Sequence, residues 1–196
     1  MGPTRVCPQW LKWRLEVGLS VKLNLGCGNH KKDGFLGVDR YPCDAVDLIC
    51  DVSRTLPFQD DSIDEVYMDN LIEHVHDIPA LMKEVVRVSR RGAHISIITP
   101  HFSSFASWKD PTHVHHLSYF SFDHFEKSSA RHYVGGGLKV VSRKLSFGGG
   151  LLGLVGRLIC WLNPETYEKK FCFLFRGSTL RFHLEVTKEG DTRHLA

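Results

Sequence analysis

Two short runs rich in β-branched and apolar residues, IDEVYMD at 63–69 and AHISIIT at 93–99, flank the segment DIPALMKEVVRVSR. Within it Ile78, Leu81, Met82, Val85 and Val86 recur at i, i+3, i+4, i+7 and i+8, which is the spacing of one helical face. Asp77 supplies an N-cap, Pro79 fits the first turn, and Gly92 is expected to stop the helix. Strand, helix and strand in this order form a βαβ unit with a right-handed crossover. Further apolar runs at 21–25 (VKLNL), 35–39 (FLGVD) and 46–50 (VDLIC) extend the pattern, and near-continuous apolar strands predict a parallel sheet covered on both faces. The fold class is therefore α/β, an open sheet.

After Pro100 the texture changes to a histidine-rich, aromatic segment, HFSSFASWKDPTHVHHLSYFSFDHF, with a helix expected within 118–130. LKVVSRKLSF reads as a strand, LLGLVGRLICWLN as an apolar helix, and STLRFHLEVTKE as a strand with Leu180, Phe182, Leu184 and Val186 on one face. At 196 residues, with no long linker and no internal repeat, one domain is expected over 1–196. Its parts are an N-terminal helical extension (1–20), a ligand-binding half (21–100) and an acceptor-side half (101–196). The six cysteines form no C-x-x-C pair, so free thiols and a cytoplasmic setting are expected. A formal charge of +3, with lysines and arginines scattered rather than clustered, argues against a nucleic acid partner.

The stretch KLNLGCGNHKKDGFLGVD raises the question of a ligand. Gly26 and Gly28 form a turn after a strand, where the missing Cβ atoms let a ligand approach. Asp39 closes the next strand, the position from which an acid accepts hydrogen bonds from ribose hydroxyls. Between them there is no third glycine and no helical period, so the helix N-terminus that would seat a pyrophosphate is missing. Ribose without phosphate fits better than a dinucleotide such as NAD.

These residues resemble the class I S-adenosylmethionine-dependent methyltransferases. Leu25-Gly26-Cys27-Gly28 is similar to that family's first motif and Asp39 to its ribose-binding acid. Cys50-Asp51-Val52 resembles the segment that contacts adenine. Leu56-Pro57-Phe58 followed by Asp60, Asp61, Ser62, Ile63 and Asp64 resembles the lead into the fourth strand, and Asn70-Leu71-Ile72-Glu73-His74 the loop beside the methionine moiety. The resemblance implies S-adenosyl-L-methionine as cofactor, held by Leu25, Gly26, Cys27, Gly28, Asp39, Asp51, Val52, Asn70, Leu71, Glu73 and His74. It also implies a Rossmann-like, mostly parallel sheet of about seven strands with helices on both faces and the last strand antiparallel.

Methyl transfer from a sulfonium mainly requires alignment and exclusion of water, with a base added when the acceptor is a hydroxyl. His113, oriented by Asp110, and His101 are the candidate catalytic residues, with His74, His115 and His116 also placed at strand ends. No metal is expected, the alternative being zinc on His113, His115 and Asp110 or His101. The acceptor is expected to be a small molecule or glycan, through O-methylation. A non-catalytic S-adenosylmethionine-binding domain is the second reading. Leu151 to Leu162 is far below the ~20 residues of a membrane span. It is read as a helix packed on the sheet or, with Trp161, Phe171, Phe173, Phe175, Arg157, Lys169 and Lys170, as a peripheral membrane contact through 151–175.

Overall fold

The computed structural model describes residues 20–126 and 136–188. The expected N-terminal extension lies outside these residues, apart from Ser20. The described strands are β1 (Lys22–Leu25), β2 (Leu36–Asp39), β3 (Leu48–Ile49), β4 (Ile63–Asp69), β5 (Ser89–Pro100), β6 (Leu138–Phe147) and β7 (Gly177–Val186). They form one seven-stranded sheet in the order β3-β2-β1-β4-β5-β7-β6. The first five are parallel, and β7 runs antiparallel between β5 and β6. This is the expected Rossmann-like topology with an antiparallel end.

Register explains where the core sits. Leu23, Val66, Ile95 and Leu184 form one cross-strand row, and Leu25, Met68, Ile97 and Phe182 another, all buried. The alternate rows are polar: Lys22, Glu65, His94 and Glu185, then Asn24, Tyr67, Ser96 and His183. The central strands thus alternate with period two rather than running continuously apolar as expected. The polar rows are satisfied laterally, by Lys22 and Lys32 on Glu65 and by Ser96 on His183.

Helix α1 (Ile78–Val88) buries Leu81, Met82, Val85 and Val88, and Asp77 caps it by accepting from the Ala80 amide at 2.9 Å. It ends at Val88, four residues before Gly92, because Ser89 is extended and already paired with Ile63. Gly92, with φ of 81°, instead bends β5 where the register with β4 shifts. Arg87 in the last turn donates to both carboxylate oxygens of Glu84, to Asp60, and to the Leu56 and Phe58 carbonyls. The Leu-Pro-Phe motif is thereby a loop clamped onto α1, with Leu56 and Phe58 buried beneath it.

The connection from β1 to β2 has no helix, as its sequence implies. Among the described residues two short helices follow β5, α2 (Phe105–Lys109) and α3 (Asp123–Glu126). Between β6 and β7 lie α4 (Gly150–Leu162), α5 (Pro164–Thr166) and a π-helical turn, Tyr167–Phe171. This insertion stands at the end of the sheet where Phe147 meets Gly177 and Pro100 meets Thr179. That is the carboxyl edge of β5.

Candidate active site

A cavity of about 540 Å³ opens at the carboxyl edge of β1, β2 and β4. Of the residues expected to hold a cofactor, Gly26, Asp39, Asp51, Val52, Asn70, Leu71 and His74 line it. Leu25 is fully buried in the strand beneath, and Cys27 turns its thiol toward the Gly28 and Ala45 carbonyls. Thr112 and Val114 close the far wall. Sequence reasoning missed Arg40, Tyr41 and Ser53, whose one signal was adjacency to Asp39 and Asp51.

The glycine loop does not work as an amide cradle. The Gly26 and Cys27 amides both donate to the Val38 carbonyl, at 2.8 and 3.3 Å, and the Gly28 amide donates to Asp39 Oδ2 at 2.9 Å. All three donors are spent inside the protein. Gly26 is required for another reason: its φ is 63°, and a Cβ there would lie 2.7 Å from Leu71 Cδ1. Lys31 is drawn to Asp47 and Lys32 lies over Phe35 and Tyr67, which accounts for both cations.

Asp39 also accepts from the Tyr41 amide through Oδ1, so each carboxylate oxygen carries one internal bond and retains a lone pair for a ribose hydroxyl. Asp51 accepts from the Ser53 hydroxyl and amide, which with nearby Arg54 hold its carboxyl below the usual range. It is an anionic acceptor suited to an exocyclic amine.

Asn70 adopts the left-handed region (φ 50°) directly after β4, and Ile72–His74 makes a single 3₁₀ turn. That turn sends Glu73 inward and His74 to the cavity wall. The Glu73 carbonyl accepts from the Val114 and His115 amides, and its Oε2 accepts from Thr99 at 3.0 Å. Glu73 Oε1 is buried with no hydrogen-bond partner, and burial raises this carboxyl above its ordinary value.

Carbonyl partners assign the imidazole tautomers, since a carbonyl only accepts. His74 Nδ1 lies 3.0 Å from Thr112 Oγ1 and 3.3 Å from the Thr112 carbonyl, so Nδ1 carries the hydrogen and Nε2 the lone pair. Thr112 Oγ1 in turn donates to Asp110 Oδ1 at 2.6 Å. Asp110 therefore orients His74 through Thr112. His113 stands edge-on behind His74 at 4.6 Å, with Nδ1 donating to the Ser107 carbonyl and Nε2 4.0 Å from Glu73 Oε1 and 3.9 Å from Asp110 Oδ2.

His101 is not brought to the cavity. It is fully buried, accepts from the Ser103 amide at Nδ1, and reaches Glu168 through Nε2 at 2.9 Å. Burial works to raise the Glu168 carboxyl, but bonds from His101, Ser118 and Tyr119 outweigh it and hold the carboxyl low. Its packing role explains why a strand-end histidine reads like a base without being available as one. His115 donates to the His76 carbonyl and His101 is bound to Ser103 and Glu168, so the alternative zinc set on His113, His115 and Asp110 or His101 does not assemble. Glu73, His74 and His113 do gather, with one ligand atom from each within 4.8 Å of the others.

Residues 29–97 match the family model described as "Methyltransferase domain". The fold is that of S-adenosylmethionine-dependent methyltransferases. Among solved structures the methyltransferase fold is similar to a SAM-dependent methyltransferase from Archaeoglobus fulgidus, at 19% identity and TM-score 0.56 over 90% of this chain and 93% of that one. It is also similar to phosphoethanolamine N-methyltransferase 2 of Haemonchus contortus, determined with phosphomonomethylethanolamine and S-adenosylhomocysteine. There the identity is 15% and the TM-score 0.51, over 95% of this chain and 50% of that one. A third is the 16S rRNA methyltransferase KamB, at 13% identity and TM-score 0.52 over 94% and 95%. No curated protein matches in sequence.

Proposed function

We propose that this methyltransferase domain transfers the S-adenosylmethionine methyl group to a hydroxyl of a small-molecule or glycan acceptor. One observation carries the cofactor side: the wall offers Asp39 and Asp51 as acceptors while every amide of the glycine loop is already used. A ribose and an amine are served there, whereas a pyrophosphate is not. Gly26 and Asn70 hold the left-handed backbone turns that bring Leu71 against the loop, and Asp39, Asp51 and Leu71 would hold the adenosyl group. The cofactor supplies an electrophilic methyl for in-line displacement.

The His74 imidazole supports the hydroxyl acceptor. Its Nδ1 proton is held by Thr112, which leaves Nε2 free to take a proton at the cavity wall as a hydroxyl attacks. Asp110 steadies the resulting cation through Thr112 and lies 3.9 Å from His113, a positioning residue packed behind His74. A neutral amine, already nucleophilic, has less need of such a base. Binding calorimetry is expected to show S-adenosylmethionine binding that Asp39→Ala abolishes, with no comparable NAD binding. In a labelled-cofactor screen against defined glycans and extracts, His74→Ala should lose about 10²–10⁴-fold in rate. Tight NAD binding would overturn the cofactor reading, and binding without turnover on any acceptor would leave a non-catalytic binding domain.

A second reading is favoured by the partnerless Glu73 Oε1. With His74 and His113 it forms a two-histidine, one-carboxylate donor set suited to a divalent transition metal. Elemental analysis of the purified protein discriminates: one metal per chain, lost in Glu73→Gln, would make the site metal-dependent and remove His74 as a base.

A further inference from the structure

Helix α4 is amphipathic in the reverse sense. Its buried residues are Gly153, Gly156 and Cys160. A Cβ on Gly153 would lie 1.9 Å from the Gly148 carbonyl oxygen, and one on Gly156 would lie 2.9 Å from the Phe147 ring and from Phe175 Cβ. The helix is therefore seated by its small residues and cannot turn its leucines inward. Leu151, Leu152, Leu154, Leu158, Trp161 and Leu162 point outward, each more than half exposed and Trp161 at 78%. A surface helix ordinarily does the opposite, and a monomer rarely leaves so many large apolar groups together.

The apolar surface continues beyond the helix. Phe173 and Leu174 are exposed on the segment after the π-helical turn, and the Phe173 ring meets Phe102 at 5.8 Å. The Phe102 carbonyl accepts from Trp108 Nε1, and Trp108 and Phe105 are themselves exposed. This band leads from α4 to the loop that carries Thr112.

Charge selects what covers it. Of the two acids in 150–176, Glu165 is paired with Lys169 and Glu168 is turned inward onto His101, Ser118 and Tyr119. Arg157, Lys170 and Arg176 are exposed beside the band, and among the described residues no carboxylate pairs with them. A second copy docked on the same face would bring like charges together. No described helix is long and apolar enough to cross a membrane, and α4, about 20 Å long, suits a position in the interfacial plane.

We propose that the face formed by α4 and the segment to Phe175 docks on an anionic lipid surface, with the leucines and Trp161 in the acyl boundary and Arg157, Lys170 and Arg176 at the headgroups. Docking does not depend on the methyl-transfer reading. It places on the membrane the same sheet edge that holds the cavity.

The test is co-sedimentation of the full chain with vesicles of phosphatidylcholine alone or mixed with phosphatidylglycerol. Binding is expected to the mixed vesicles, with a blue shift in tryptophan emission. The double variant Leu158→Asp, Trp161→Ala alters only exposed side chains, so its circular dichroism should be unchanged while binding is lost. Arg157→Glu with Lys170→Glu should weaken partition to the anionic vesicles by at least tenfold. Absence of binding to the mixed vesicles overturns the proposal. So does equal binding to neutral vesicles that charge reversal leaves unchanged, or a concentration-dependent dimer in light scattering that Leu158→Asp abolishes.

Discussion

Gly26→Ala tests whether the glycine loop is required for its backbone and clearance. Gly26 sits at φ 63°, where an L-residue costs about 1–2 kcal/mol. The new Cβ would also meet Leu71 Cδ1 at 2.7 Å and Leu71 Cβ at 3.0 Å. Because Leu71 Cβ is itself too close, a change of rotamer cannot relieve the contact, and overpacking of this kind adds about 1–3 kcal/mol. The sum predicts a loss of about 2–5 kcal/mol in urea unfolding at unchanged slope. A Leu71→Ala background removes the Cδ1 contact and keeps the Cβ contact at 3.0 Å, so part of the steric loss should vanish, with a favourable coupling of about 1 kcal/mol. Calorimetry should show weakened S-adenosylmethionine binding in Gly26→Ala, since Leu71 is a wall of the cavity. An unchanged unfolding midpoint, or an equal loss in both backgrounds, would refute the steric argument.

Glu73→Gln should change how stability depends on pH. The folded carboxyl titrates above its unfolded value, so the folded state binds more protons between the two, and unfolding free energy falls as pH rises through that window and stays lowered above it. In chelator-treated protein the Gln variant should lose this fall and unfold at higher temperature than the parent at neutral pH, read by calorimetry. Arg87→Met should cost about 2–4 kcal/mol in denaturant unfolding, because it strands Glu84 and the Leu56 and Phe58 carbonyls together. His101→Phe should destabilise by about 1–3 kcal/mol, because Glu168 loses one of three donors and keeps Ser118 and Tyr119, while calorimetric affinity for S-adenosylmethionine is retained.

The sheet was legible because its determinants are local. Strand β4 and the face of α1 announce themselves by periodicity, and the alternation of Leu180, Phe182, Leu184 and Val186 survives as four buried positions on β7. The end of α1 was misplaced because Gly92 is a common stop signal, whereas the actual stop is the pairing of Ser89 with Ile63, a contact between residues 26 apart in sequence. The two-faced polarity of the centre was hidden for a similar reason. Asn24, Tyr67 and Ser96 look unremarkable singly and form a polar row only once register aligns them.

Site chemistry was legible in proportion to how much of it rests on backbone position. Asp39, Asp51, Asn70 and Leu71 follow directly from strand ends and line one cavity. The histidines do not, because side-chain partners decide which ring nitrogen is free. Sequence alone places His101 and His113 both at strand ends, yet one spends both nitrogens on Ser103 and Glu168 while the other keeps Nε2 without a hydrogen bond facing Glu73. Glu73 is the residue on which these outcomes turn. Its carbonyl draws Val114 and His115 across from the following loop, its Oε2 is tied to Thr99 on β5, and its neighbour His74 reaches Thr112. The Asn-Leu-Ile-Glu-His motif therefore does more than border the cavity: it ties the end of β4 to β5 and to the loop that carries Thr112. A carboxyl buried at that joint with one partnerless oxygen is costly as an anion, which is why burial raises it toward the protonated form, and His113 Nε2 faces that oxygen at 4.0 Å.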